Sequence, residues 1–296
     1  MPICTLIAAD ILESGNFSEA KDRLAEAGCI PKAFDWLAQG KAVDISFEGD
    51  LSDARMALEG LEDRFDIALQ DGANRRKMLL VSDMDSTMIT VECIDELADY
   101  AGIKPEIAAI TERAMAGELD FADALKARVA LLAGLDENVI AQCLRERVQP
   151  MPGAEILVRT MTGWGAHAVL VSGGFTSFTG PVADMLGFHE VHANLLEIKD
   201  GRLTGALAAD IVDASTKRVV LHAAAQARGV ALGSALAVGD GANDLPMIAA
   251  AVSDGGLGVG YHPRPQLAQA ANFSVRHNDL TALLFAQGVK PHEWAD

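Results

Sequence analysis

Positive charge is scarce in this chain of 296 residues: 24 Lys and Arg stand against 42 Asp and Glu, a formal net charge of −18. Nucleic-acid binders meet phosphates with clustered basic residues, so this balance excludes them as expected partners. Cysteine is scarce as well. Cys4, Cys29, Cys93 and Cys143 stand far apart with no C-x-x-C pair, which argues against a zinc site and a disulfide framework and predicts buried thiols in a reducing compartment. No apolar run approaches the length of a membrane span, and Met1-Pro2-Ile3-Cys4 opens neither a basic segment nor a long apolar core. A cytoplasmic protein with no membrane partner is expected. The histidines form no H-E-x-x-H pattern, and His189 and His192 read as residues of a surface turn. Hydrophobic residues, in contrast, make up 50% of the chain; that content excludes disorder, and the length predicts about two domains.

The first of these spans residues 1–74. Short strands at 3–8, 32–37, 42–47 and 65–69 alternate with helices at 17–27 and 51–61. The order β-α-β-β-α-β predicts a small α+β, ferredoxin-like module. Residues 71–76, Asp-Gly-Ala-Asn-Arg-Arg, are polar and rich in turn formers and read as its linker. From 75 to 296 apolar strands at 78–83, 167–172, 189–193, 235–240 and 256–260 are separated by helices, the pattern of an α/β, Rossmann-like, doubly wound parallel sheet. Residues 88–155 are dominated by helix formers without strand alternation, which predicts a helical cap inserted after the first strand. Asp200-Gly201 joins two short strands as a two-residue hairpin turn. The tail from 288 to 296 is expected to be peripheral.

Ligands of such sheets sit beyond the carboxyl ends of the strands. Three strand ends here are polar: Asp83-Met84-Asp85-Ser86-Thr87, Ser172-Gly173-Gly174, and Asp240-Gly241-Ala242-Asn243-Asp244. Each alone is compatible with a turn. Together they form a set suited to phosphoryl transfer. Asp83 can attack phosphorus to give an aspartyl-phosphate, splitting one hard hydrolysis into two displacements. Mg²⁺, a hard cation, suits the carboxylates of Asp83 and Asp240 with the main-chain carbonyl of Asp85. The Asp85 side chain can protonate the departing alkoxide and then deprotonate the attacking water. The Ser172 hydroxyl and the Gly173 amide offer neutral donors to phosphoryl oxygens. Lys217 is the best-placed cation upstream of the Asp240 strand. Asn243 can donate to phosphoryl or nucleophile, and Asp244 can hold a metal-bound water or orient Lys217.

These segments, in this order, resemble the haloacid dehalogenase superfamily of phosphatases, and the resemblance covers about Lys77 to Asn272. Within it, Asp83 to Thr87 with Glu92, the runs Ala114–Phe121 and Lys126–Val129, and Val171–Phe175 are most similar to the branch that hydrolyses O-phospho-L-serine, the last step of serine biosynthesis. The resemblance implies Asp83 as nucleophile, Asp85 as acid/base, and Mg²⁺ on Asp83, Asp85 and Asp240. It implies substrate contacts from Glu92, Arg128, Ser172, Gly173, Lys217 and Asn243, with Met115 and Phe121 as apolar walls of the cap. One acid and one arginine match the ammonium and carboxylate of phosphoserine. Residues 1–74 resemble the ACT-like regions that precede some members of the branch, which implies amino-acid sensing or a homodimer paired through this module; the sequence offers no clear ligand loop there, so a purely structural role stays open beside these. Transfer of the phosphoryl group to another alcohol, such as homoserine, uses the same chemistry and stays open.

Overall fold

The computed structural model describes residues 1–115 and 118–295, apart from the side chain of Met115. Met115, expected as a cap wall, therefore lies outside the described side chains. The chain opens with β1 (Pro2–Ala8), α1 (Ser14–Glu26), β2 (Ile30–Ala38), β3 (Ala42–Glu48), α2 (Leu51–Ala57) and β4 (Phe65–Asp71). Their antiparallel sheet has the order β2-β3-β1-β4. Strand alternation sorts the side chains into two faces. Leu6, Val43, Ile45, Phe47 and Ile67 pack with Ala20 and Leu24 of α1 and Ala54 of α2. The other face carries Thr5, Ile7, Ala42, Asp44, Asp66, Ala68 and Gln70, all buried.

That second, mixed face is sealed by the rest of the chain. Ile7, Ala42 and Ala68 belong to the same apolar core as Leu280, Phe285 and Ala286. Arg75, expected in a polar linker, is instead tucked into the seam. Its Nη2 donates to Asp44 Oδ1 at 2.6 Å and to Thr5 Oγ1 at 2.8 Å, and its Nε to the carbonyl of Ala286 at 2.9 Å. Asp66 accepts the N–H of Arg276 at 2.7 Å and the side-chain amide of Asn278 at 2.8 Å.

The remainder comprises β5 (Leu79–Ser82), α3 (Cys93–Ala101), α4 (Lys104–Met115), α5 (Phe121–Leu131), α6 (Asn138–Glu146), α7 (Ala154–Gly163), β6 (His167–Phe175), α8 (Thr176–Leu186) and β7 (Glu190–Asn194). Then follow β8 (Leu196–Lys199), β9 (Arg202–Leu207), α9 (Ala214–Arg228), β10 (Ala235–Gly239), α10 (Leu245–Ser253), β11 (Leu257–Tyr261), α11 (Pro265–Ala270), β12 (Phe273–Val275) and α12 (Ala282–Ala286). Six strands form one parallel sheet in the order β12-β11-β10-β5-β6-β7. Every residue of β5 and β10 is buried, because helices cover both faces. Residues from α9, α10 and α11 pack on Leu79, Val81 and Ala237. Those from α7, α8 and α12 pack with Leu80, Leu170 and Val238.

Helices α3 to α6 fill the connection expected to form a cap. Asp120 caps α5 by accepting the N–H of Asp123 at 2.8 Å, and Gly102 ends α3 in the left-handed conformation at φ 70°. The hairpin β8–β9 turns through Asp200 (φ 52°) and Gly201 (φ 74°), the positive pair that a two-residue turn requires. It is bonded to the α5–α6 loop: Gly134 N–H donates to Leu203 O, Leu203 N–H to Leu135 O, and Glu137 N–H to Gly201 O. No helix among the described residues is long and apolar enough to cross a membrane.

Four expectations are corrected. The helix 51–61 stops at Ala57, and the chain turns at Gly60 (φ 83°) into one tight turn over Leu61–Asp63. Strand β12 was not foreseen, because three residues are too few for alternation to register. His192 lies inside β7 and pairs with Glu190 at 2.7 Å, rather than on a turn. The tail is pinned: Trp294 packs edge-on against Phe285, and the Ala295 N–H donates to Thr160 Oγ1 at 2.9 Å.

Truncating one partner of a buried, hydrogen-bonded ion pair leaves the other charge stranded. Arg75→Ala is therefore expected to destabilise the chain by about 3–5 kcal/mol in urea unfolding. A loss below about 1 kcal/mol, the ordinary value of an exposed pair, would show that the seam is open to water.

Candidate active site

The carboxyl ends of β10, β5 and β6 lie side by side, and they present Asp240, Asp83 and Ser172 to one crevice. Asp83 leaves the sheet with its N–H still donating to Val238 O at 3.0 Å. Its Oδ1 is fully engaged, accepting the Met84 N–H at 2.7 Å and pairing with Lys217 Nζ at 2.7 Å. Among the described residues its Oδ2 meets only the side-chain amide of Asn243, at 3.2 Å.

Lys217 comes from the first turn of α9, where Asp213 caps the helix by accepting the Thr216 N–H at 2.8 Å. The ammonium is 1% exposed and bridges Asp83 Oδ1 and Asp244 Oδ1, both at 2.7 Å. Burial works against its charge, but Asp244 and Asp83 outweigh burial and raise its pKa, so it stays protonated. Asp244, fully buried, spends its second oxygen on the Gly241 N–H at 3.1 Å. Gly239 makes room for it: a Cβ at that glycine would lie 2.2 Å from Asp244 Cγ.

Side-chain oxygens of Asp83, Asp240 and Asp244 fall within 4.8 Å of one another, a group able to hold a metal ion. Burial, then the charges of Asp83 and Glu92, push the Asp240 carboxyl up to about 6, against the pull of Lys217 and Arg264. Asp85, expected in the metal set through its main-chain carbonyl, keeps its carboxylate outside that side-chain group. Its Oδ1 is buried with no hydrogen-bond partner among the described residues. Burial first, then Glu92 and Asp83, raise its pKa well above the usual carboxylate range. A Cβ on Gly174 would stand 3.1 Å from both Asp85 Oδ2 and Ser172 Oγ, so this glycine lets the two approach.

The cap closes over this floor. Ser86, at φ 55°, donates to Glu92 Oε1 at 2.7 Å and holds that acid at the start of α3. Phe121 lies over the phosphate loop, since a Cβ on Gly173 would come within 3.1 Å of its Cζ. Arg128 projects from α5, where burial lowers its pKa while Asp95 and then Glu92 hold it up. The structure thus gathers Asp83, Asp85, Ser172, Gly173, Lys217, Asn243, Asp240 and Asp244 on the floor, with Glu92, Phe121 and Arg128 above. Gly239, the first glycine of the run Gly-Asp-Gly-Ala-Asn-Asp that carries the family resemblance, has no role assigned from the sequence; the structure supplies one, as the space that Asp244 fills.

A buried carboxylate with one lightly engaged oxygen, a lysine locked behind it and an acidic group beside it are the groups expected of a hydrolase of the phosphoryl-transfer class. The model of the haloacid dehalogenase-like hydrolase family matches residues 80–249, and the chain belongs to that family. It is 40% identical over 289 residues to a phosphoserine phosphatase of Streptomyces coelicolor, covering 97% of this chain and 67% of that one. A solved structure of a probable phosphoserine phosphatase from Vibrio cholerae, unliganded, superposes with a TM-score of 0.77 at 34% identity, covering 97% of this chain and 86% of that one. A phospho-aspartyl intermediate analogue of phosphoserine phosphatase superposes at 0.65 with 33% identity, covering 73% of this chain and all (100%) of that one.

Gly239→Ala forces Asp244 away from Lys217. Overpacking of a close-packed site is expected to lower stability by about 1–3 kcal/mol, read by urea unfolding. An unchanged midpoint would mean that Asp244 is free to move.

Proposed function

We propose that the protein is a Mg²⁺-dependent phosphoserine phosphatase that hydrolyses O-phospho-L-serine to L-serine and phosphate through an aspartyl-phosphate. The observation that carries this reading is the asymmetry of Asp83. One oxygen is held by Lys217 and the Met84 N–H, while the other meets the Asn243 amide at 3.2 Å and is the more available for attack. Side-chain oxygens of Asp83 and Asp240 lie close enough for one hard cation, to which the Asp85 carbonyl would add a further donor, and the excess of carboxylates over the Lys217 ammonium calls for positive charge. When bound, Mg²⁺ would offset the repulsion between carboxylate and phosphoryl group.

In the first displacement Asp83 Oδ2 forms the new P–O bond while the bond to the serine oxygen breaks. Asp85, protonated through burial and its acidic neighbours, gives its proton to that departing alkoxide. In the second, Asp85 takes a proton from water, whose oxygen attacks phosphorus and releases Asp83. Lys217 keeps Asp83 oriented throughout, and Asn243, Ser172 and the Gly173 amide receive phosphoryl oxygens. Glu92 faces the substrate ammonium and Arg128 its carboxylate, with Phe121 walling the cap side. Residues 1–74 act chiefly as a docked structural unit, since one face of their sheet is taken up by the phosphatase core.

Phosphate release in the steady state tests the reading. Asp83→Asn is expected to fall to background, and chelation of divalent ions to abolish turnover until Mg²⁺ is restored. Undiminished turnover in either case would sink the mechanism. Arg128→Ala is expected to raise KM for phosphoserine about tenfold or more, the scale of a lost charged hydrogen bond. p-Nitrophenyl phosphate has no amino-acid carboxylate, so its KM should hardly change; equal effects on both esters would remove Arg128 from substrate recognition.

A further inference from the structure

The parallel ladder between β6 and β7 is broken at the phosphate loop. Val171 pairs with His192 and Phe175 with Asn194, so three residues of β6, Ser172 to Gly174, stand opposite one residue of β7. The extra residues bulge out of the sheet, and their backbone groups lose the partners that a regular ladder supplies. Asn194, completely buried, replaces them with its side chain. Its Nδ2 donates to Gly173 O at 2.8 Å, and its Oδ1 accepts the Val212 N–H at 2.8 Å. A carbonyl on one side and an N–H on the other leave a single orientation for the amide.

The Gly173 carbonyl and the Gly174 N–H belong to one rigid peptide plane. That N–H donates to Ser172 Oγ at 2.9 Å. A hydroxyl has one proton and two lone pairs, so accepting from Gly174 turns its proton away from the loop. A chain of hydrogen bonds therefore runs from Asn194 through the peptide plane to Ser172. At its other end, Val212 directly precedes Asp213, the cap of the helix that carries Lys217.

We infer that Asn194 is a positioning residue: through the Gly173–Gly174 peptide it aims the Ser172 hydroxyl at the phosphoryl group, and through Val212 it ties the phosphate loop to the start of the Lys217 helix. This rests on the reading of Ser172 as a phosphoryl contact. Asn194 touches no reacting atom, so the part of its effect that travels through Ser172, the larger of the two, disappears when Ser172 has no hydroxyl to aim.

A double-mutant cycle on the full-length protein tests this, with Asn194→Ala, Ser172→Ala and the double variant assayed on phosphoserine and on p-nitrophenyl phosphate. Asn194→Ala in the parent background is expected to lower kcat/KM about tenfold, the scale of one misdirected hydrogen bond, and to weaken inhibition by inorganic phosphate to a similar degree. In the Ser172→Ala background the further loss should stay under about threefold. Losses that multiply on both esters would overturn the positioning role and leave Asn194 a packing residue. Asn194→Leu, close in size and free of charge, provides the same cycle if the alanine variant folds poorly. Parent protein that turns over the aryl ester with the coupling intact, but not phosphoserine, would overturn the substrate assignment alone. Parent protein that hydrolyses neither ester would overturn both.

Discussion

One buried ammonium organises the catalytic floor. Asp83 and Asp244 are carboxylates in a dry pocket, and without Lys217 between them their repulsion and desolvation would work against the fold. Each neighbouring feature serves that bridge. Asp213 starts the helix at the register that points Lys217 inward, and Gly239 leaves the volume that Asp244 fills. The Met84 N–H then fixes the Asp83 carboxylate from the adjoining backbone. The bridge also resolves a difficulty posed by a chain of charge −18 that handles an anion. Positive charge is needed only at the crevice, where low dielectric strengthens each interaction, and the sign of the remaining surface matters little at that range.

Much of this was legible in the chain because strand ends are where local pattern and chemistry coincide. Buried parallel strands read as apolar runs, and Asp83, Ser172 and Asp240 stand at the first polar position after, or at the close of, such runs. The cap was legible as a stretch of helix formers. What escaped detection depends on long-range packing. Thr5, Asp44, Asp66 and Gln70 alternate with apolar residues and look like the wet face of a half-buried sheet, yet they are the seam with the rest of the chain. Arg75 looks like linker for the same reason: its partners lie in β1, β3 and α12, far along the sequence. Asn194 carries no local mark, and Gly239 only its place in a motif, because what they serve is a neighbour that folding alone supplies.

The sealed seam changes how the amino-terminal sheet is to be understood. A free-standing module of this topology has one face on its helices and one face open. Here the open face is closed by apolar contact around Ile7 and by hydrogen bonds to α12 and the β12 segment. The two sheets are thus parts of one packed body, and the polar residues between them specify how they sit, since each buried donor or acceptor accepts only a narrow range of partners.

The hairpin β8–β9 has a mechanical meaning. It leaves the core just after Asn194, grips the α5–α6 loop through three backbone hydrogen bonds, and returns to the core just before Val212. The inserted helices are thereby joined to the sheet at a third place besides the two ends of their own segment, and that third strut is anchored at Asn194 and Val212, beside the Ser172–Gly174 bulge.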